Sequence, residues 1–219
     1  MIRKNETVLL LHGLGRTRLS MRPLAQALEA AGYQTACWQY NSVRGSIPAI
    51  ADRIKARLPE LGSPLKLHGI GHSMGGLLLR SILSTTDLPL GRLVLVGTPS
   101  AGAGIIEHHQ WLFGRSFVPP VLSDMRPGSA YLKALPLPDM EIGVVAGVER
   151  FNPVNPASWL NRWSLGDVPH DGTVELSSVK VMPMADYFEV PVNHSFLPTN
   201  RRVIPAVVRF IETGKFQAG

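Results

Sequence analysis

The chain has 219 residues, of which 45% are hydrophobic and 17% charged, a composition that excludes a disordered protein and suffices for one sizeable core. Its net charge of +6 is scattered and accompanied by no nucleic-acid-binding motif, so we expect no nucleic-acid partner and only a general attraction to anionic surfaces or substrates. The apolar runs are all strand-sized, which argues against a membrane-spanning segment, and a single cysteine, Cys37, excludes an intramolecular disulfide.

Short apolar runs alternate with helical patterns along the chain. This alternation predicts an α/β fold with a mostly parallel central sheet and helices on both faces. The predicted strands are residues 7–13, 33–40, 65–73, 92–99, 140–148 and 185–191. The predicted helices are residues 21–32, 47–61, 74–83, 130–135 and 201–214.

Two irregular segments interrupt the alternation, at about 100–138 and 149–170. Neither a repeat nor a linker is visible, so we predict a single domain over residues 1–219, with the two segments as insertions where loops over a ligand site would lie. Apolar residues of the first insertion either line an acyl pocket, form a small lid or belong to the core: Ile105, Ile106, Trp111, Leu112, Phe113, Phe117 and Val118.

The sequence GIGHSMGG joins the third predicted strand to a helix and contains a G-x-S-x-G motif centred on Ser73. In a sharp turn of this kind the residues two before and two after the serine approach it closely, which requires glycine at Gly71 and Gly75. Gly76 would let the helix pack tightly, whereas Gly69 has no evident role. The motif predicts a nucleophilic serine, and the alternative is a plain strand-to-helix turn.

A serine hydroxyl needs a general base, and His194 is the favoured candidate because it follows the last predicted strand, where open α/β sheets assemble their sites. His170 is the other open candidate. We expect His12 and His72 to shape the turns beside them and His68 to lie inside a strand. His108 and His109 fall in the first insertion.

The acid that orients the base is expected between Ser73 and His194. Asp171 lies in HDGTV, where the Asp-Gly pair indicates a tight turn that can aim a carboxylate inward. Asp167 is the second candidate. The alternative for Asp171 is that it only caps the helix that its neighbours 173–178 would form.

Acyl transfer also needs hydrogen-bond donors for the oxyanion that forms on the substrate carbonyl. The turn His12-Gly13-Leu14-Gly15 ends the first strand, and we expect the backbone N–H groups of Leu14 and Met74 to be these donors. The turn lacks the pattern of a phosphate-binding loop. His170, Asp171 and Glu175 lack the spacing of a zinc site, so no metal and no cofactor are expected.

In order along the chain, LLLHGLG, HSMGG, LVLVGTPSAG, DG and NH resemble the α/β-hydrolase superfamily, and more narrowly its small bacterial lipases and esterases, including the minimal lidless lipases. The resemblance implies that Ser73 attacks an ester carbonyl and that Asp171 and His194 complete a catalytic triad. It also implies that Leu14 and Met74 form the oxyanion hole. Ser100 stands where these enzymes commonly have a histidine, in a GTPHxG segment.

We therefore expect a serine carboxylic-ester hydrolase that forms an acyl-enzyme on Ser73 from a small-molecule or lipid ester. Its partners are expected to be this substrate and, as an alternative, the surface of a membrane. The alternatives are an acyltransferase or thioesterase with the same triad, and a non-catalytic binding protein of the same fold. The N-terminal residues carry no signal-peptide pattern, and with one cysteine the expectation is a cytoplasmic protein.

Overall fold

A computed structural model describes residues 5–108, 118–150, 167–180 and 183–217. Its centre is a six-stranded sheet in the order β2-β1-β3-β4-β5-β6, and every neighbouring pair is parallel. This architecture confirms the predicted fold class. The strands are β1 (Glu6–Leu11), β2 (Gln34–Trp38), β3 (Lys66–His72), β4 (Leu90–Val96), β5 (Glu141–Gly147) and β6 (Asp186–Val190).

The described helices connect these strands. They are α1 (Arg22–Ala30), α2 (Ile47–Lys55), α3 (Met74–Leu83), α4 (Ile105–His108), α5 (Pro120–Asp124), α6 (Ala130–Ala134), α7 (Leu176–Val179) and α8 (Val203–Thr213). Short 3₁₀ segments are formed by Arg18–Met21, Leu58–Leu61 and His194–Thr199. None of the helices in the described ranges is long and apolar enough to cross a bilayer.

Both faces of the sheet are buried, and β1 shows how. Leu9 and Leu11 pack into the apolar cluster that α2 and α3 cover, whereas Val8 and Leu10 pack into the cluster that α1 and α8 cover. Successive side chains of a strand point to opposite faces, so a run of apolar residues without alternation is what a strand covered on both sides requires. The helices therefore lie on both faces, as predicted.

The predicted helix at 47–61 is wrong in its extent, because α2 ends at Lys55 and Leu58–Leu61 forms a separate 3₁₀ turn. Pro59 explains the break: it has no N–H to donate, and its ring would clash with the Lys55 carbonyl four residues earlier. The insertion predicted at about 100–138 contains α4, α5 and α6, of which only α6 was expected. Residues 109–117 and 151–166, and with them Trp111, Leu112, Phe113 and Phe117, lie outside the described residues. The single-domain extent of 1–219 stays a prediction.

Two glycines of the GIGHSMGG sequence serve packing. A Cβ atom on Gly76 would overlap the Thr98 side chain, so glycine there lets α3 approach the end of β4. A Cβ atom on Gly69 would lie 3.0 Å from the terminal methyl groups of both Leu83 and Leu93. Gly69 thus makes room for leucines of α3 and β4, a role that the sequence did not reveal.

Replacement of each glycine by alanine is expected to distinguish the contact of Gly76 with Thr98 from the contacts of Gly69 with leucine methyl groups. Gly76→Ala should lower the free energy of unfolding by about 1–3 kcal/mol, because Thr98 is β-branched and cannot turn away. Gly69→Ala should change it by less than about 1 kcal/mol, since leucine methyl groups can shift and alanine is favoured over glycine in a strand. Urea unfolding measures both values, and equal losses would contradict this account of Gly76.

Candidate active site

Ser73 lies on a sharp turn between the last residue of β3 and the first residue of α3. Its φ of 54° and ψ of −125° make it the one non-glycine residue with positive φ in the described part of the chain. Such a conformation costs about 1–3 kcal/mol and persists only where surrounding structure holds it. The Ser73 N–H donates to the Val96 carbonyl at 2.9 Å, which ties the turn to the end of β4.

The glycines around Ser73 permit this turn. A Cβ atom on Gly71 would overlap the backbone of Gly76, and one on Gly75 would overlap the Leu11 carbonyl at the end of β1. Three backbone segments therefore meet at van der Waals distance beneath the serine. A plain strand-to-helix turn has no need of such crowding.

Asp171 and His194 form a buried hydrogen-bonded pair. The Asp171 Oδ1 atom accepts the backbone N–H groups of Thr173 at 3.0 Å and Val174 at 2.7 Å, and Oδ2 accepts His194 Nδ1–H at 2.6 Å. The His194 N–H also donates to the Asp171 carbonyl at 2.8 Å. In the neutral tautomer with the proton on Nδ1, the lone pair of Nε2 is left free to accept a proton.

The other acid candidate has different surroundings. Asp167 is fully exposed and lies 3.7 Å from Arg150 Nη1. Asp171 closes the turn before α7, but Glu175 and not Asp171 occupies the N-cap position of that helix. The structure therefore brings Asp171, and not Asp167, to His194.

His194 lies beside the Ser73 turn. Its imidazole packs on Gly97, the residue after Val96, where an added Cβ atom would be 3.2 Å from His194 Nδ1. His72 Nε2–H donates to the His194 carbonyl at 3.0 Å, and the two rings are 4.9 Å apart. Among the described residues the Ser73 hydroxyl has no hydrogen-bond partner, and Ser73 is only partly buried.

Two further histidines hold the backbone around the site. His12 is buried at the end of β1, stacks on Tyr40 at 4.2 Å and donates from Nδ1 to the Gly13 carbonyl at 2.9 Å. The Tyr40 hydroxyl donates to the His12 carbonyl. Burial lowers the pKa of His12, and burial followed by the proximity of His194 lowers the pKa of His72 well below its ordinary value.

The expected oxyanion donors lie at the ends of β1 and β3. Met74 begins α3, so its N–H has no partner within the helix, and neither it nor the Leu14 N–H is hydrogen-bonded to any described residue. A Cβ atom on Gly13 would be 3.0 Å from Ser73 Cβ, which brings the Gly13–Leu14 backbone against the serine. Gly15 N–H donates to Ser42 Oγ at 2.9 Å and fixes the following residue.

The remaining candidates have other surroundings. His170 Nδ1 accepts the Gly172 N–H at 2.9 Å, and His68 contacts Glu6 at 3.2 Å inside the sheet. Ser100 is buried, and its hydroxyl has no partner within the described ranges. In those same ranges, no group of three His, Cys, Asp or Glu side chains is placed to hold a metal ion.

Sequence reasoning missed two residues that support the site, Asn193 and Tyr40. The Asn193 side chain donates to the Asp171 carbonyl at 2.9 Å and accepts the Ser195 N–H at 3.2 Å, so it joins the two loops that carry the pair. Asparagine directly before His194 was the available signal. Tyr40 had none, because its contact with His12 spans 28 residues.

No protein-family model matches the chain, and no curated protein sequence matches it significantly. Solved structures do resemble it. The mature lipase BlEst2 of Bacillus licheniformis has a TM-score of 0.76 at 15% identity, over 94% of this chain and 91% of that chain. Phospholipase PlaB of Legionella pneumophila, in complex with thio-NAD, has a TM-score of 0.71 at 14% identity, over 96% and 59%.

Tomato methylketone synthase I, complexed with 2-tridecanone, has a TM-score of 0.61 at 10% identity, over 98% of this chain and 100% of that chain. At such identities the likeness establishes the fold and nothing finer. The chain has the α/β-hydrolase fold, which confirms the resemblance suggested by its motifs at that level.

The buried histidines predict how stability depends on pH. Unfolded histidine has a pKa near 6.5, so below about that pH the unfolded chain binds more protons than the folded chain. The part of the stability that comes from keeping these histidines neutral is therefore fully present above about pH 6.5 and is lost as the pH falls below that value. In His72→Gln, whose amide can still donate to His194, the loss between about pH 7 and 5 should be smaller by about 1–2 kcal/mol.

Urea unfolding of both proteins at the two pH values measures this difference. Because each protein is compared with itself, a general destabilisation by the substitution cancels. An unchanged pH dependence would mean that His72 is not held neutral in the folded protein.

Proposed function

We propose that this chain is a carboxylic-ester hydrolase that acts through an acyl-enzyme on Ser73. The observation that carries the proposal is the buried Asp171–His194 hydrogen bond beside a serine held in a strained turn. A non-catalytic protein of the same fold has no reason to keep both.

The proposed reaction uses these residues in turn. His194 Nε2 takes the proton of Ser73 Oγ as the oxygen attacks the ester carbonyl carbon, and Asp171 stabilises the imidazolium that forms. The negative charge that develops on the carbonyl oxygen is stabilised by the N–H groups of Leu14 and Met74. His194 then protonates the departing alcohol, and a water molecule activated by the same imidazole releases the acid.

The substrate class proposed is a small-molecule or lipid ester with an apolar acyl group. Two of the similar structures are named a lipase and a phospholipase, and a third holds a long-chain ketone, which supports an acyl-binding site in this fold. Transfer to another acceptor or hydrolysis of a thioester uses the same triad. Analysis of the products formed from an oxygen ester, from a thioester and from an oxygen ester mixed with an acceptor alcohol distinguishes ester hydrolysis, thioester hydrolysis and acyl transfer.

The first test concerns the nucleophile. Ser73→Ala should lower kcat/KM for p-nitrophenyl esters by at least about 10⁴-fold, because no other residue from Gly71 to Gly75 has a hydroxyl group. Wild-type protein should gain the mass of one fluorophosphonate adduct, and the variant should gain none. Circular dichroism checks that the variant is folded, and retained turnover or labelling would reject Ser73.

The second test separates the two acid candidates with a matched pair of substitutions. Asp171→Asn should lower kcat by about 10³–10⁴-fold, because an amide cannot hold the imidazole in the required tautomer or stabilise its charge. Asp167→Asn should change kcat by less than about twofold, since Asp167 is exposed and pairs with Arg150. A larger loss in Asp167→Asn would reverse the assignment.

A further inference from the structure

Exposed apolar side chains are concentrated at one edge of the sheet. Of the five exposed large hydrophobic residues in the described ranges, four follow the carboxyl end of a strand: Leu19 (63% exposed), Val43 (59%), Val168 (46%) and Phe196 (47%). Leu65, also 63% exposed, precedes β3 and lies at the opposite edge. Because all neighbouring strands are parallel, the segments that carry these four residues begin at the same edge as those that carry Ser73 and His194.

Exposed arginines occupy the same edge. Three follow β1, one follows β2 and two follow β6, namely Arg16, Arg18, Arg22, Arg44, Arg201 and Arg202. Within the described part of the chain none of the six has a carboxylate within ion-pair distance. Two other arginines are paired: Arg57, which lies over Trp38 at the end of β2, is bound to Glu60, and Arg92 in β4 is bound to Glu141.

The two groups form one surface around the site. The 3₁₀ segment Arg18–Met21, which contains Leu19, contacts the segment His194–Thr199, which contains Phe196. The exposed acids Glu149 and Asp167 follow β5, and Arg150 offsets Asp167 at 3.7 Å. The loops after β1, β2 and β6 are therefore apolar and positively charged together.

We propose that the surface formed by the loops after β1, β2 and β6, with Leu19, Val43, Phe196 and the six arginines, docks on the surface of an anionic lipid bilayer. The apolar side chains enter the interfacial layer while the guanidinium groups contact phosphate or carboxylate head groups. The proposal rests on the proposed function, because docking at this edge turns the Ser73 side of the molecule toward ester groups of the bilayer.

Binding to vesicles tests the proposal without any need for catalysis. Sedimentation of wild-type protein and Ser73→Ala with phosphatidylcholine vesicles, alone or with about one-third phosphatidylglycerol, should show binding only to the anionic vesicles. Raising the salt from about 0.05 to 0.5 M should weaken that binding, because exposed charges are screened. Equal binding to both vesicles, or none, would overturn the proposal.

Matched variants locate the surface. Arg201→Gln with Arg202→Gln should weaken binding about 30-fold, the equivalent of about 1 kcal/mol per arginine near an anionic surface. Lys66→Gln with Lys215→Gln removes the same charge at the opposite edge and should change binding by less than about threefold. Equal losses of vesicle binding in the two double variants would mean that binding depends only on the net charge, and would overturn the proposal.

The apolar contribution has an equally close control. Leu19→Ser should weaken binding about tenfold, whereas Leu65→Ser, at a leucine of the same exposure, should leave it unchanged. Hydrolysis of a short dissolved ester reports the proposed function separately. If the protein binds vesicles but neither hydrolyses esters nor reacts with the fluorophosphonate, the docking surface stands and the proposed hydrolase function is rejected. If it hydrolyses esters but does not bind vesicles, or if it binds RNA and no vesicles, the docking surface is rejected.

Discussion

The buried hydrogen bond between Asp171 and His194 is the interaction on which the arrangement of the candidate site depends. A carboxylate with almost no exposure must be matched by donors, or its burial costs several kcal/mol. Two backbone N–H groups and the imidazole supply them. Because those donors come from the loops after β5 and β6, satisfying one charge requires the two loops to close on each other, and Asn193 reinforces the same contact.

His72 extends this constraint to the serine. It is the residue directly before Ser73, and its Nε2–H donates to the carbonyl of His194. The end of β3 is thus joined to the loop after β6 across two intervening strands, β4 and β5. The lowered pKa of His72 keeps its ring neutral, and a neutral ring beside His194 does not repel the imidazolium that the proposed reaction creates.

The sequence predicted the parallel sheet, the strand-to-helix turn at Ser73 and the crowding around it, because apolar periodicity and glycine spacing are local signals. Other features depend on contacts that spacing does not encode. The choice between Asp171 and Asp167 depends on where a turn directs each carboxylate. The role of Gly69 depends on contacts with leucines that lie 14 and 24 residues further along the chain. The end of α2 at Lys55 is a local signal as well, because Pro59 cannot continue a helix.

The strand order also bears on how the protein is made. After β1 and β2 pair, each later strand adds to the same growing edge in the order of synthesis, with β3 beside β1 and β6 last. A domain generally folds as a unit once its chain has been made. A nascent chain that has reached β5 therefore contains Ser73 but neither Asp171 nor His194, so the three residues can come together only after the last strand has been made.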